Sequence, residues 1–184
     1  MDPRVKEFIE ANIDLIDTED FVKLYQLADH ILFFSTKISE MTTCLLRSKI
    51  NPLEVLDEVP PEYLYNSAYL DSLNLPDSIW RIGESAFHGN TNLTTVVCGE
   101  NLDTIGYGAF MQCSKLETVI LNNKLERISN MAFRDTALKE LRLPDSIKRI
   151  EGIPFDNTTK LLVLPGTVAH EWAVKNNYPV ELLY

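Results

Sequence analysis

The sequence predicts an α/β repeat fold, a short right-handed solenoid of about five coils that follows a small helical domain. Two ladders of apolar residues carry this prediction. The phenylalanine ladder, with steps of 23, 23 and 22 residues, consists of Phe87, Phe110, Phe133 and Phe155. The leucine ladder, with the same interval, consists of Leu70, Leu93, Leu116, Leu138 and Leu161. A leucine-rich period of about 20–29 residues indicates a solenoid in which each repeat forms one coil.

Residues 1–60 follow a different, helical spacing and are predicted to form a separate domain. Apolar stripes in residues 5–16 and 21–27 favour two helices. Ser35 is the predicted N-cap of a third helix over residues 36–49. We expect the helical domain to end at Pro60, with the solenoid occupying residues 61–184.

Each coil is predicted to contain two short strands joined by a turn. The first strands are predicted at 73–75, 96–98, 119–121 and 141–143. The second strands carry an apolar pair three residues apart, such as Ile79 and Ile82. One coil orders about 23 residues at roughly 1.5 kcal/mol each, whereas each large buried side chain returns only about 1.5–3 kcal/mol. A coil therefore cannot fold alone, and the coils must stack.

Residues 70–87 resemble the BspA-type leucine-rich repeat. The residues that carry the resemblance are Leu70, Leu73, Leu75, Pro76, Ser78, Ile79, Ile82, Gly83, Ala86 and Phe87. The resemblance covers about residues 61–184 and implies a leucine-rich-repeat solenoid of 22–23-residue coils. The sequence departs from the pattern at Asn122-Asn123, which replaces Pro-x, and at Pro154, which replaces alanine. One coil is also a residue short between Phe133 and Leu138.

Both ends of the repeat region resemble segments that accompany this family. At the C-terminal end, residues 166–184 predict a cap with a helix over 169–174, a stop at Asn176-Asn177 and a closing strand. At the other end, helices that finish in Asn51-Pro52-Leu53 resemble starters associated with bacteriophage and prophage genes. The N-terminal helices either cap the first coil or bind a partner as well.

The charge distribution restricts the partners. The net charge is −10, of which −7 comes from residues 1–62 and −3 from residues 63–184. Because an acidic chain repels phosphates, we expect no nucleic-acid partner. The same charge leaves open an acidic mimic of nucleic acid, a basic protein partner, or plain solubility. The sequence shows no signal peptide, no transmembrane segment and an odd number of cysteines, so we expect a cytoplasmic protein with no membrane partner.

No pattern of residues indicates an enzyme, a cofactor or a metal. The histidines His30, His88 and His170 are scattered, without the spacing of a ligand pair. Cys98 and Cys113 occupy repeat positions that favour small packed residues. We therefore predict a non-enzymatic protein with no catalytic, cofactor-binding or metal-binding residues.

The outward positions of the first strands form one candidate binding surface. Val97 and Ile120 are predicted to be apolar neighbours that face solvent, rimmed by Thr95, Thr118 and Arg142. Apolar residues ringed by polar ones are typical of interfaces, although isolated exposed apolar residues are also common.

The second strands form another candidate surface with two rows of outward residues. One row consists of Trp80, Asp103, Glu126 and Lys148, and the other of Arg81, Thr104, Arg127 and Arg149. Trp80 is the exception among charged counterparts, and tryptophan and arginine are enriched in binding hot spots. The alternatives are that Trp80 packs on the N-terminal helices and that the arginines belong to a charge-balanced face.

These observations favour a non-enzymatic intracellular module that binds another protein, without specifying its identity or an oligomeric state. If the phage resemblance holds, the hypothesis becomes a phage-encoded factor that binds and modulates a host protein, for instance a defence component. The alternatives are a cell-surface adhesin-type repeat fragment, expected from the wider family, and an acidic nucleic-acid mimic that inhibits a basic protein.

Overall fold

The computed structural model describes residue 53, residues 56–67 and residues 70–184. Most of the predicted helical domain, including its three helices, lies outside these residues. The described strands are β1 (Glu58–Val59), β2 (Ser72–Asn74), β3 (Arg81–Ile82), β4 (Thr95–Val97), β5 (Thr104–Ile105), β6 (Thr118–Ile120), β7 (Arg127–Ile128), β8 (Glu140–Arg142), β9 (Arg149–Ile150), β10 (Lys160–Val163) and β11 (Val180–Leu182). Helix α1 (Val168–Lys175) lies between β10 and β11.

The strands form three parallel sheets along a solenoid, which confirms the predicted fold class. The second strands build one sheet, called here the long sheet, in the order β1-β3-β5-β7-β9. The first strands build two smaller sheets, the N-terminal short sheet (β2-β4-β6) and the C-terminal short sheet (β8-β10-β11). Equivalent inward residues of successive coils are paired, as in the register Leu73↔Val96↔Val119. The long sheet begins at Glu58, ahead of the Pro61 from which the sequence pattern started the first coil.

The four phenylalanines form a continuous stack at the centre of the solenoid. All four are fully buried. The ring centroids lie 5.3 Å apart from Phe87 to Phe110, 5.3 Å from Phe110 to Phe133 and 5.8 Å from Phe133 to Phe155, with nearly parallel planes. This offset-stacked arrangement is one of the geometries that aromatic pairs prefer.

Backbone hydrogen bonds run alongside this stack and explain the change from alanine to Pro154. The Phe110 N–H donates to the Ala132 carbonyl at 2.8 Å, and the Phe133 N–H donates to the Pro154 carbonyl at 2.7 Å. The residue before each phenylalanine thus supplies an acceptor to the previous coil. Proline keeps its carbonyl while losing its N–H, so Pro154 preserves the bond between coils.

Aromatic side chains terminate the stack at both ends. The Tyr63 ring packs edge-on against Phe87, with centroids 6.2 Å apart. At the other end, Trp172 and Tyr178 pack edge-on against Phe155 at 6.2 and 6.1 Å. Edge-on rings thus contact the outer faces of Phe87 and Phe155 without extending the parallel stack.

The C-terminal helix and closing strand lie where the sequence predicted them. Thr167 is the N-cap of α1, and its hydroxyl oxygen accepts a hydrogen bond from the His170 N–H at 3.2 Å. Asn176 is the C-cap, and its N–H donates to the Trp172 carbonyl. The helix buries Ala169 and Ala173 against the last coil. β11 then pairs with β10 and closes the C-terminal short sheet.

Replacement of Phe110 by alanine is expected to destabilise the solenoid by about 3–5 kcal/mol, because it opens a cavity between two stacked rings. Denaturant unfolding followed by circular dichroism measures this loss. Ser114→Ala, an exposed change in the same coil, should alter the free energy of unfolding by less than about 0.5 kcal/mol. Equal stability of the two variants would contradict the role given to the stack.

Candidate protein-binding site

The N-terminal short sheet brings the predicted apolar neighbours together. Val97 and Ile120 occupy paired positions on β4 and β6. The Ile120 residue is 55% exposed, and Thr118 and Arg142 are exposed as well. Val97 and Thr95 are only half-exposed, because β4 is the central strand and has a neighbour on each side. The exposed apolar surface is therefore concentrated at β6.

The sheet is interrupted immediately beyond β6. On the N-terminal side of the interruption, the residue after each first strand is hydrogen-bonded to the next coil. For example, the Cys98 N–H donates to the Ile120 carbonyl at 2.9 Å. Beyond the interruption the Leu143 N–H donates to the Leu162 carbonyl at 3.0 Å. No backbone hydrogen bond of the described residues joins β6 to β8, whereas the long sheet continues from β7 to β9. The first strands therefore have a break that the second strands do not share.

Two departures from the repeat pattern coincide with this break. The connection from Phe133 to Leu138 has one residue fewer than the other connections, which alters how the chain enters β8. The turn after β6 is held to the preceding coil, since the Asn122 side-chain amide donates to the carbonyls of Gly99 and Leu102. The Asn122 side-chain oxygen also accepts from the Lys124 N–H at 2.9 Å. Strand β6 is thus attached to the coil before it and β8 to the coil after it.

The break uncovers residues that the repeat pattern assigns to the core. Val119 and Leu121 are only partly buried, whereas their equivalents Val96, Leu141 and Leu143 in other coils are buried. We call the region of Val119, Ile120, Leu121 and Arg142 the break cleft. Arg142 forms no ion pair within the described part of the chain, so its guanidinium is available to a ligand. The break cleft combines exposed apolar surface, which marks interaction sites when polar residues rim it, with arginine, which is enriched in binding hot spots.

The long sheet pairs its cations with carboxylates over its C-terminal half. Arg149 and Arg127 both lie near the Glu151 carboxylate, at 2.9 and 3.9 Å. The Lys148 ammonium lies 2.6 Å from Glu126. These exposed pairs contribute about 0–1 kcal/mol each. The arginine row is therefore compensated by carboxylates, which fits the charge-balanced alternative for Arg127 and Arg149.

The N-terminal half of the long sheet carries the predicted exposed tryptophan. Trp80 is 41% exposed, so the described residues leave a large part of its indole accessible. Arg81, the next residue and the first of β3, lies 3.8 Å from the Glu58 carboxylate. Asp103, which follows Trp80 in the row, has a buried Oδ1 atom with no hydrogen-bond partner.

Both described cysteines are packed inside the solenoid, as the sequence predicted. Burial raises the pKa of the Cys98 thiol from 9.0 to about 12. Burial also raises the pKa of the Cys113 thiol to about 12, against a smaller lowering by a hydrogen bond from the Asn90 backbone. The Cys113 Sγ donates to the Phe87 carbonyl at 3.2 Å. A thiol with so high a pKa is protonated at neutral pH and is a poor nucleophile.

The described residues contain no group of three or more histidine, cysteine, aspartate or glutamate side chains that could hold a metal ion. Within the same part of the chain, no helix has the length and apolar character required to cross a membrane.

Comparison with known proteins gives a family match over more than half of the chain. A family described as "BspA type Leucine rich repeat region" matches residues 57–164 in six copies. The search of curated proteins found no match. The match includes every strand from β1 to β10 and ends before α1.

Two solved structures are similar to this chain. The pneumococcal vaccine antigen PcpA aligns with a TM-score of 0.49 and 19% identity, over 70% of this chain and 45% of that structure. A leucine-rich cell surface protein from Faecalibacterium prausnitzii A2-165 aligns with a TM-score of 0.46 and 22% identity, over 59% of this chain and 36% of that structure. This chain thus spans less than half the length of either structure.

The buried thiols predict a loss of stability at alkaline pH. An unfolded cysteine loses its proton near pH 9.0, whereas the folded thiols retain theirs to about pH 12. Between these values the folded state binds more protons, so the free energy of unfolding falls as pH rises. The slope approaches about 1.4 kcal/mol per pH unit for each thiol.

Denaturant titrations from pH 8 to 10.5 measure this effect. The matched control is the double substitution Cys98→Val/Cys113→Thr, since threonine occupies the equivalent position at Thr136. The double variant should lose less stability over this range than the natural sequence. Parallel curves for the two proteins would refute the assignment of the pH dependence to these thiols.

Proposed function

This chain belongs to the BspA-type leucine-rich repeat family, and from that premise we propose that it is a non-enzymatic module that binds another protein through the N-terminal short sheet and the break cleft. The observation that carries the proposal is the exposure of Ile120 beside partly uncovered core residues at the interruption of the first-strand ladder between β6 and β8. Leucine-rich solenoids present extended surfaces to partners. On this surface the exposed apolar residues are concentrated at the interruption, so we place the centre of the contact there.

The physical basis of the proposed contact is the combination of apolar area and unpaired backbone at β6. Burying exposed apolar surface is the main favourable term in most protein association. The Leu121 N–H makes no backbone hydrogen bond to the next coil. An extended segment of a partner can therefore accept a hydrogen bond from this N–H through one of its carbonyl groups. Arg142 adds a charge-assisted hydrogen bond to a carboxylate or carbonyl oxygen of the partner. Thr95, Val97 and Thr118 form the N-terminal margin of this surface.

The N-terminal domain enters the proposal as a cap for the first coil. Leu53 and Val59 are buried and belong to the same core as the phenylalanine stack. The core therefore continues into the chain before Pro60, and residues 1–60 are the segment available to cover its open end.

We further propose that the module acts inside a bacterial cell as a phage-encoded factor that binds and modulates a host protein. The support for this proposal is the resemblance of the segment ending in Asn51-Pro52-Leu53 to phage-associated starters, together with the acidic charge. The competing setting is a cell-surface adhesin, and the acidic mimic of nucleic acid is a third.

Ile120→Glu is expected to abolish capture of the partner, because it places a charge in the centre of the apolar surface. Tagged protein is used for affinity purification from a bacterial host, and bound proteins are quantified by mass spectrometry. The matched control is Ile153→Glu, since Ile153 is 56% exposed but lies away from the short sheets. We expect the control to retain the partner and both variants to keep the melting temperature of the natural protein.

Three results would oppose this assignment. Retention of the partner by Ile120→Glu would move the binding surface elsewhere. Equal loss in Ile153→Glu would indicate a general effect of added charge. Loss only after deletion of residues 1–52, with an unchanged melting temperature, would assign binding to the N-terminal segment and remove its role as a cap.

The cellular setting is tested by localisation. A tagged chain expressed from its own gene in its native host is fractionated into cytosol and cell surface. Recovery of the tag and of the captured partner in the cytosol is expected from the phage-factor proposal. Recovery at the cell surface would instead support the adhesin setting while leaving the protein-binding assignment intact.

A further inference from the structure

We propose that the N-terminal end of the long sheet is a second binding site, in which Trp80 and two carboxylates hold a lysine or arginine side chain of a protein partner. Three consecutive coils place Asp57, Trp80 and Asp103 at equivalent positions. This site lies on the second strands, and it is independent of the break cleft on the first strands.

Backbone hydrogen bonds fix the order of these three residues. The Trp80 N–H donates to the Asp57 carbonyl at 2.8 Å, and the Asp103 N–H donates to the Trp80 carbonyl at 2.8 Å. Neighbouring strands of a sheet lie about 4.8 Å apart. One aspartate therefore flanks Trp80 on each side, one strand spacing away along the sheet.

The two carboxylates are not neutralised by the protein itself. Within the described part of the chain, neither Asp57 nor Asp103 forms an ion pair, and Arg81 is directed to Glu58 at 3.8 Å. Asp57, Glu58 and Asp103 against Arg81 give this end of the sheet a formal charge of −2. The opposite end holds Arg127, Lys148 and Arg149 against Glu126 and Glu151, a formal charge of +1. The long sheet is thus electrically polarised, with its negative end around Trp80.

The exposed indole and the uncompensated carboxylates identify the kind of ligand. Trp80 is 41% exposed, and Asp57 beside it is exposed as well. An ammonium or guanidinium group donates hydrogen bonds to carboxylates and carries the complementary positive charge. The same cation is attracted to the face of the indole, and tryptophan is the best side chain for this interaction. A divalent metal ion keeps its water shell and so gains little from the indole, whereas an organic cation contacts the ring directly, and the combination therefore favours an organic cation.

Fluorescence of Trp80 gives a direct readout of occupancy. The chain has two tryptophans, and Trp172→Phe leaves Trp80 as the only one. In this background the full-length protein is titrated with a tetralysine peptide and, separately, with tetra-arginine, at low ionic strength. We expect a saturable change in Trp80 emission with both peptides, and no change with a tetraglutamate peptide.

Two double variants separate a specific site from general attraction to an acidic protein. Asp57→Asn/Asp103→Asn should weaken binding of tetralysine about tenfold or more, since both carboxylates are lost. Glu117→Gln/Glu140→Gln removes the same charge from exposed positions around the short sheets, and binding should remain within about twofold.

The proposal is overturned by an unsaturable or absent change in emission, or by equal weakening in the two double variants. Should Trp172→Phe fail to fold, the same titration is followed through the Trp80 indole N–H signal of the natural protein by nuclear magnetic resonance, with the same criteria. Ile120→Glu should leave tetralysine binding unchanged, so failure of this site and failure of the break cleft are distinguishable.

Discussion

The stacking of one phenylalanine per coil is the constraint on which the remaining structure depends. Successive rings contact one another along the stack, and this contact sets the distance between coils at the centre. The backbone N–H groups of Phe87, Phe110 and Phe133, which each donate to the next coil, hold the surrounding backbone at the same distance. Once this spacing is fixed, equivalent residues in successive coils are forced into register in the long sheet. The outward side chains then form straight rows whose identity is not constrained by the core.

This constraint explains why an irregular repeat opens one sheet and spares the other. The short connection between Phe133 and Leu138 is flanked by the phenylalanine stack on one side and by β8 on the other. The stack and the long sheet both remain continuous through this coil, so the mismatch is absorbed where β6 should meet β8. The price of keeping the core in register is therefore an uncovered patch at Val119 and Leu121. The surface that we assign to partner binding arises from the same departure.

The ladder, the coil number and the exposure of Trp80 and Ile120 could be predicted from the sequence, because each follows from the period. The terminal helix could be predicted from the resemblance of residues 166–184 to a cap of the family. The strands begin one residue earlier than the pattern indicated, since apolar residues mark inward positions while hydrogen bonding sets the strand limits. The break could not be predicted. The sequence shows that the connection before Leu138 is one residue short. It does not show whether this shortening distorts a turn, the core or a strand pair, because that depends on which of these contacts is weakest. Nor does sequence spacing show the unpaired oxygen of Asp103.

The two proposed surfaces differ in the origin of their binding energy, and this difference follows from their place in the coil. At the break cleft, core residues become accessible, so the gain on binding is mainly apolar burial. Around Trp80 the register of the long sheet is intact, and the gain comes from charges that the row brings together but does not neutralise. Because outward residues of a solenoid contribute little to stacking between coils, Asp57, Trp80 and Asp103 are placed side by side without loss of the core. The fold therefore tolerates uncompensated carboxylates on the long sheet and exposed apolar residues at the break between β6 and β8. Both are compatible with the fold as long as the phenylalanine stack beneath them remains continuous.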